Sequence, residues 1–336
     1  MSHATQTPRT AVVTGASAGV GRAIAVALGR RGWKVALLAR GIDGLAGARQ
    51  DVEEVGGSGL VIPTDVADPG AVFAAAQRAE DELGPVELWV NNAMVTVFSE
   101  FADLSPEEFR RVTEVTYLGQ VHGTMAALRH MQPRDRGTIV QMGSALAYRS
   151  IPLQSAYCGA KAAIRGFTDS LRSELEHQQS GIHLTMVHLP AVNTPQFDWS
   201  RSHLKHRPMP VPPIHEPEVV AEEVMKAVET RPRELWIGDA VPKAILGTML
   251  APGQLDKMLA TKAYEGQVTD KPADQDREDN LFSPLPGDHG SRGRFSDSAR
   301  QSVRSYRPQV VRAAVLAAGV LGSAALGAIA AGRRRR

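Results

Sequence analysis

Apolar side chains along this chain gather in short runs of five to seven positions, rich in β-branched residues, and each run is followed by a longer stretch in which apolar positions return with helical spacing. The runs are TAVVT (10–14), KVALLA (34–39), GLVIP (59–63), ELWVN (87–91), GTIVQM (137–142), HLTMVHL (183–189) and ELWIG (234–238). Strand-length runs alternating with amphipathic segments predict βαβ units and an α/β fold. Runs such as VALLA, apolar at consecutive positions, predict strands covered on both faces, as a parallel sheet requires. The pattern therefore predicts one doubly wound domain over residues 10–266, preceded by a disordered stretch at 1–9.

The rhythm breaks in three places. Residues 200–217, SRSHLKHRPMPVPPIHEP, hold five prolines and three histidines, which excludes regular helix or strand and predicts a loop. Its histidines (His203, His206 and His215) lack the spacing and the supporting carboxylates or thiols of a metal site, so no metal is assigned. Residues 267–309 are poor in aliphatics and rich in charge, Gly, Pro and Ser. Such a composition buries too little apolar area to offset ordering entropy, and it predicts a disordered linker. Residues 313–331 then run nineteen positions without a charge, ahead of Arg333 to Arg336. As a helix this run rises about 28 Å, close to the roughly 30 Å hydrocarbon core, so the tail is a candidate transmembrane or membrane-associated helix. An apolar oligomerisation helix is the alternative.

Composition narrows the class. With 336 residues, 43% of them hydrophobic, the chain has room for a sizeable core. A net charge of +2, from 38 basic and 36 acidic residues, gives no global field for nucleic acid. The first ten residues lack the apolar segment of a secretory signal, and a single cysteine, Cys158, excludes an intramolecular disulfide. Both point to a reducing, cytoplasmic setting for the main domain.

The first strand runs directly into VVTGASAGVGRAIAVAL, which sets Gly15, Gly19 and Gly21 between a strand and a helix, with Ser17 and Val20 among them. Glycine allows a tight turn and close approach of backbone to a pyrophosphate, while the helix N-terminus offers free N–H groups and a positive dipole end. The same glycines also suit plain packing of helix on strand. Context favours a dinucleotide site, and with it a Rossmann-type sheet. The second strand ends in LLARG, where an acid would hydrogen-bond a ribose 2′-OH and an arginine would pair with a 2′-phosphate. Ala39 and Arg40 stand there, so NADP(H) is favoured over NAD(H), although Arg40 also reads as a solvated strand-end charge.

The spacing T-G-x-x-x-G-x-G, followed in order by TDV (64–66), NNA (91–93), Ser144, Tyr157 with Lys161, and PAVNT (190–194), resembles the short-chain dehydrogenase/reductase family from about residue 9 to 240. The resemblance implies that Asp65 and Val66 sit at the adenine ring and that Asn91 and Ala93 flank the adenine-side ribose. It also implies that Pro190, Val192 and Thr194 close over the nicotinamide carboxamide. Asp65 alone reads equally as a turn or N-cap residue. Relatives in this family are often dimers or tetramers, which implies a homo-oligomer.

Tyr157 and Lys161 are four apart in a stretch helical from 156 to 176 and so share one face, with Cys158 turned about 100° away. An ammonium beside a phenol favours the phenolate and moves it toward a working range. By resemblance, Tyr157 exchanges a proton with the substrate oxygen, Ser144 polarises that oxygen and Lys161 holds the nicotinamide ribose. Cys158, beside the pair and with no histidine near it in sequence, reads as a packing residue. Three positions depart from the family pattern: Thr116 stands where an asparagine commonly supports a water at the lysine, and Met94 and Ala191 replace glycines. The expected activity is hydride transfer between NADP(H) and a carbonyl or secondary alcohol on a small molecule. The apolar, proline-rich loop suggests a nonpolar or lipid-like substrate. A catalytically weak dinucleotide-binding sensor or scaffold at the membrane is the rival reading, opposed by the intact Ser144, Tyr157 and Lys161.

Overall fold

In the computed structural model, which describes residues 9–274, 276–313, 316 and 317, each apolar run becomes a strand of one sheet. The strands are β1 (Thr10–Thr14), β2 (Lys34–Ala39), β3 (Ser58–Pro63), β4 (Val86–Asn91), β5 (Gly137–Ser144), β6 (Ile182–Leu189) and β7 (Glu234–Ile237). All seven pair in parallel. An eighth, β8 (Ser305–Tyr306), joins antiparallel to β7, giving the order β8-β7-β6-β5-β4-β1-β2-β3. The order reverses between β1 and β4, and a crevice opens there at the carboxyl ends of the strands.

Strand periodicity explains the two layers. Val13 and Leu37 point into the core shared with α1 (Gly19–Gly29), α2 (Ile42–Glu54) and the later helix α8 (Pro217–Thr230). Their neighbours Val12, Ala36 and Leu38 point into the opposite core. That second layer is made by α3 (Pro69–Leu83), α4 (Pro106–Val112), α5 (Gly119–Met131) and α6 (Ser155–His177). Both faces are thus buried, which is why successive strand residues are apolar. A short helix α7 (Gln196–Trp199) and the pair α9 (Ala240–Leu250) and α10 (Pro252–Glu265) lie beyond the strand ends.

Two expectations need correction. The 200–217 loop contains short paired segments, Arg201–Ser202 with Val97–Phe98 and Ile214–His215 with Ala191–Val192. Residues 267–309, expected to be a disordered linker outside a domain ending at 266, instead belong to the fold. Val268–Pro272 pairs antiparallel with His206–Pro208, β8 extends the sheet, and Leu281 is fully buried in the core that holds Val66. This segment is ordered by donors far away in the chain: Arg40 and Arg111 bond the carbonyls of Leu281 at 3.2 and 3.1 Å, and Arg22 pairs with Asp288. Composition counts a segment's own apolar area and takes no account of such partners. Hydrogen bonds to charged groups contribute about 1.5–3 kcal/mol each, and they add to what the sparse aliphatics supply.

The candidate membrane helix at 313–331 lies outside the described residues except for 313, 316 and 317, and the expected disorder at 1–9 does so except for Arg9, whose carbonyl accepts from the Lys34 N–H at 2.9 Å. Among the described residues no helix is long and apolar enough to cross a membrane.

Candidate active site

The crevice at the switch point is a cavity of about 650 Å³ that runs from the β2 and β3 ends, past the glycine loop, to α9 and α10. Its first part is built by the turn after β1. Gly15 has φ +67, and a Cβ there would come within 2.8 Å of the Ala93 Cα. A Cβ on Gly21 would fall 2.2 Å from the Gly15 carbonyl oxygen, so no side chain fits where α1 meets the turn. The Thr14 hydroxyl accepts from the N–H groups of Asn92 and Ala93 at 2.9 and 3.1 Å, and the Asn92 amide donates to the Thr14 carbonyl at 3.0 Å. These bonds pin the glycine loop to the end of β4.

Gly15, Ser17, Gly19, Val20, Arg40, Asp65, Val66, Ala93, Ser144, Tyr157, Lys161, Pro190, Val192 and Thr194 all line this cavity. Three expected site residues do not: Gly21, packed against the Gly15 carbonyl beneath the turn, Asn91 and Thr116. Asn91 is fully buried behind the wall, where its side chain accepts from the Trp89 indole and donates to Thr124 and Gln141. Strand alternation turns Asn91 into the lower core and leaves the next residue, Asn92, at the cavity; the second asparagine of NNA was the available signal. Thr116 sits in a π-helical turn, Thr113–Leu118, between α4 and α5. Its hydroxyl is spent on Val95, donating to the carbonyl at 2.9 Å and accepting from the N–H at 3.1 Å. Instead of serving Lys161, it fixes the backbone after β4 that carries Met94.

At the β2 end, Arg40 donates to the carbonyls of Asn280, Leu281 and Phe282. Burial and the nearby Arg111 depress its pKa, with Asp65 opposing. Burial would push the Asp65 carboxyl up, but the bond from Arg111 and the Ala67 N–H at 3.0 Å hold it below its ordinary value. Arg111 had no sequence signal: it comes from α4, which the topology brings over β3.

Ser144 ends β5, and Tyr157 and Lys161 occupy the first turns of α6. The Ser144 Oγ accepts from the Leu146 N–H at 3.1 Å and lies against the Tyr157 phenol. Lys161 is buried and its Nζ donates to the Met142 carbonyl at 2.6 Å, 5.5 Å from the centre of the Tyr157 ring. Burial lowers the Lys161 pKa from 10.5 to about 7. Burial also raises the Tyr157 phenol above its ordinary value, with the Ser144 hydroxyl pulling the other way. Lys161 does not lower the tyrosine in this geometry; burial disfavours the charged form of each group. Cys158 is buried, its thiol pushed up by burial, and it does not line the cavity.

Past Tyr157 the lining changes character. Met94, Leu146, Ile151, Phe197, Leu255 and Met258 make an apolar arm. A dinucleotide fits the first arm: the glycine cradle admits no side chain, α1 points its N-terminus into it, and Arg40 supplies positive charge at the far end.

Comparison with known proteins agrees with this geometry. The short chain dehydrogenase profile matches residues 9–205. The protein named uncharacterized oxidoreductase YxnA of Bacillus subtilis (strain 168) is 30% identical over 309 residues, 91% of this chain and 87% of its own. A 3-dehydrosphinganine reductase of Danio rerio is 31% identical over 226 residues, 64% of this chain and 67% of its own. Among solved structures, an alcohol dehydrogenase from the archaeon Thermococcus sibiricus, complexed with 5-hydroxy-NADP, aligns with a TM-score of 0.59 at 27% identity, covering 68% of this chain and 95% of that one.

The buried lysine sets a pH dependence of stability. Between pH 7 and 10.5 the unfolded chain holds a proton on Lys161 that the folded chain has released, so in this window the lysine's penalty to folding fades as pH rises. Lys161→Met is expected to raise the melting temperature most below pH 7, with the gain shrinking toward pH 10.5. Melting curves across that range check this; a constant difference between the two proteins would show that Lys161 is not held in a depressed state.

Proposed function

Since the chain belongs to the short-chain dehydrogenase family and is an oxidoreductase of that type, we propose that it transfers hydride between NADP(H) and a carbonyl or secondary alcohol borne by a nonpolar, lipid-like molecule. One observation carries the reading: Ser144, Tyr157 and Lys161 meet at the point where the glycine-lined arm of the cavity joins the apolar arm.

A bound dinucleotide would lie along Gly15, Ser17, Gly19 and Val20, with Arg40, Asp65 and Val66 at its adenine end and Pro190, Val192 and Thr194 at the other, and it would supply or accept the hydride. The protein handles the proton. Tyr157 keeps its proton at neutral pH and is the acid for the reducing direction. Its phenolic proton passes to the carbonyl oxygen while the Ser144 hydroxyl donates to the same atom and stabilises the charge developing there. Lys161, with a pKa brought to about 7, is matched to restore that proton at working pH.

Support for NADP(H) comes from Arg40 at the end of β2, where Ala39 stands in place of an acid, and from the NADP analogue held by the archaeal relative. Support for a lipid-like substrate comes from the apolar arm and from the sphinganine-type reductase among the relatives. The uncharged run 313–331 with its closing arginines supports a membrane-associated tail. Full-length protein recovered wholly in the soluble fraction of cells, like a 1–309 truncation, would sink that part.

Screening carbonyl and alcohol panels with both dinucleotides tests the activity itself. Tyr157→Phe is expected to abolish turnover while leaving dinucleotide affinity nearly unchanged; wild-type turnover would overturn the assignment. Arg40→Asp is expected to shift preference toward NAD(H) by at least about tenfold, the size of one charge-assisted contact. The readout is the ratio of kcat/KM for the two dinucleotides, since any looser packing of the variant weakens both alike; an unchanged ratio removes Arg40 from selection.

A further inference from the structure

Residues 279–296 cross the open side of the dinucleotide arm from end to end. At the adenine end the Leu281 side chain is fully buried beside Val66, and Arg40 and Arg111 hold the carbonyls of 280–282. Over the turn, the Gly287 N–H donates to Asp43 at 2.8 Å, and Asp288 takes both NH groups of Arg22, a buried residue in the first turn of α1. The Gly290 carbonyl then accepts from the Gly19 N–H at 3.1 Å, at the N-terminus of α1 itself. At the far end the Gly293 N–H donates to the Asn193 carbonyl at 3.3 Å, and the Phe295 N–H to the Asn193 side chain at 2.9 Å, inside the PAVNT loop. Asn280, Pro284, Leu285, Gly287 and His289 line the same cavity as Gly15, Ser17, Gly19 and Val20. The end of β2, the glycine turn and the PAVNT loop, which the family resemblance assigns to the dinucleotide, are thus all tied to this one segment.

We propose that residues 279–296 are a latched strap that encloses the bound dinucleotide, so that loading and release require the strap to lift from the crevice. The proposal rests on the dinucleotide reading above. The anchors divide the work. Leu281 and the two arginines hold one end and the Asn193 bonds hold the other, while the middle is held by the Arg22–Asp288 pair, whose aspartate is the more exposed partner, together with the Asp43, Gly19 and Glu218 contacts. Glycines at 287, 290 and 293 flank that pair, and two of them, Gly287 and Gly290, have positive φ of 90 and 68, so the middle is the part of the strap able to hinge. One strap atom also points to a ligand: the Asn280 side-chain oxygen, in a residue lining the cavity, is buried with no hydrogen-bond partner. Buried polar atoms are rarely left so, and a donor on the adenine end of a dinucleotide would satisfy it.

The geometry supplies its own test. A Cβ on Gly41 would lie 3.4 Å from the Pro284 Cβ, close to the roughly 3.5–4.5 Å of a disulfide, and the native thiol at Cys158 is buried. In Gly41→Cys with Pro284→Cys, oxidation with copper phenanthroline should lock the strap. NADPH fluorescence in stopped flow should then show loading slowed at least tenfold when oxidation precedes the dinucleotide, and release slowed at least tenfold when it follows, both restored by dithiothreitol. In the other direction, Asp288→Ala should release NADPH about tenfold faster than wild type, a change of the size expected for loss of one charge-assisted contact. A pair that does not oxidise, equal rates in the oxidised and reduced forms, or wild-type release from Asp288→Ala would each overturn the strap while leaving the dinucleotide reading intact. Failure of wild-type protein to bind either NADPH or NADH would overturn both.

Discussion

The clamp between Thr14 and Asn92 is the contact on which the site depends. It joins the ends of β1 and β4, the two strands from which the sheet grows in opposite directions, through one hydroxyl accepting from two N–H groups and one amide donating back. Parallel strands end in turns that leave backbone groups unpaired, and a crevice follows wherever neighbouring turns diverge. The clamp keeps the glycine turn pressed on Ala93 closely enough to exclude a Cβ at Gly15. That closeness is what leaves space above the turn for a phosphate.

The catalytic corner shows burial acting on two groups at once. Tyr157 and Lys161 lie one helical turn apart, and β5 ends against them with the Met142 carbonyl and Ser144. Burial disfavours the charged form of each, so the phenol keeps its proton while the lysine gives up its own more readily. Both shifts follow from packing α6 against the strand end. Thr116 contributes one step removed, by holding Val95 with both of its hydrogen bonds, and so placing Met94.

Electrostatics at the rim link the crevice to the C-terminal segment. Arg22, Arg40 and Arg111 stand around the dinucleotide arm, and each is engaged by residues 280–288. Two of them bond carbonyl oxygens, which neutralise no charge, so the adenine end stays positive apart from Asp65. The strap thereby orders itself on Arg40 and Arg111 through neutral carbonyls, while its Asp288 neutralises Arg22.

Much of this protein was legible in its pattern of apolar positions. The seven strands, the helix carrying Tyr157 and Lys161, the glycine turn and the buried Cys158 all follow from periodicity and local stereochemistry, because each depends on residues close together in the chain. Asn91 and Asn92 exchanged places since a one-residue step along a strand reverses the face, and the motif alone does not say which face meets the crevice. Thr116 and Lys161 were misjudged for a related reason: spacing places side chains near each other, but only the surrounding packing decides who takes the hydrogen bond and how strongly burial opposes charge. The largest difference lay at 267–309. Local composition determined that this stretch could not fold by itself, and tertiary structure decided that it need not, because Arg22, Arg40, Arg111 and Asn193, separated from it by scores or hundreds of residues, supply the partners its own sequence lacks.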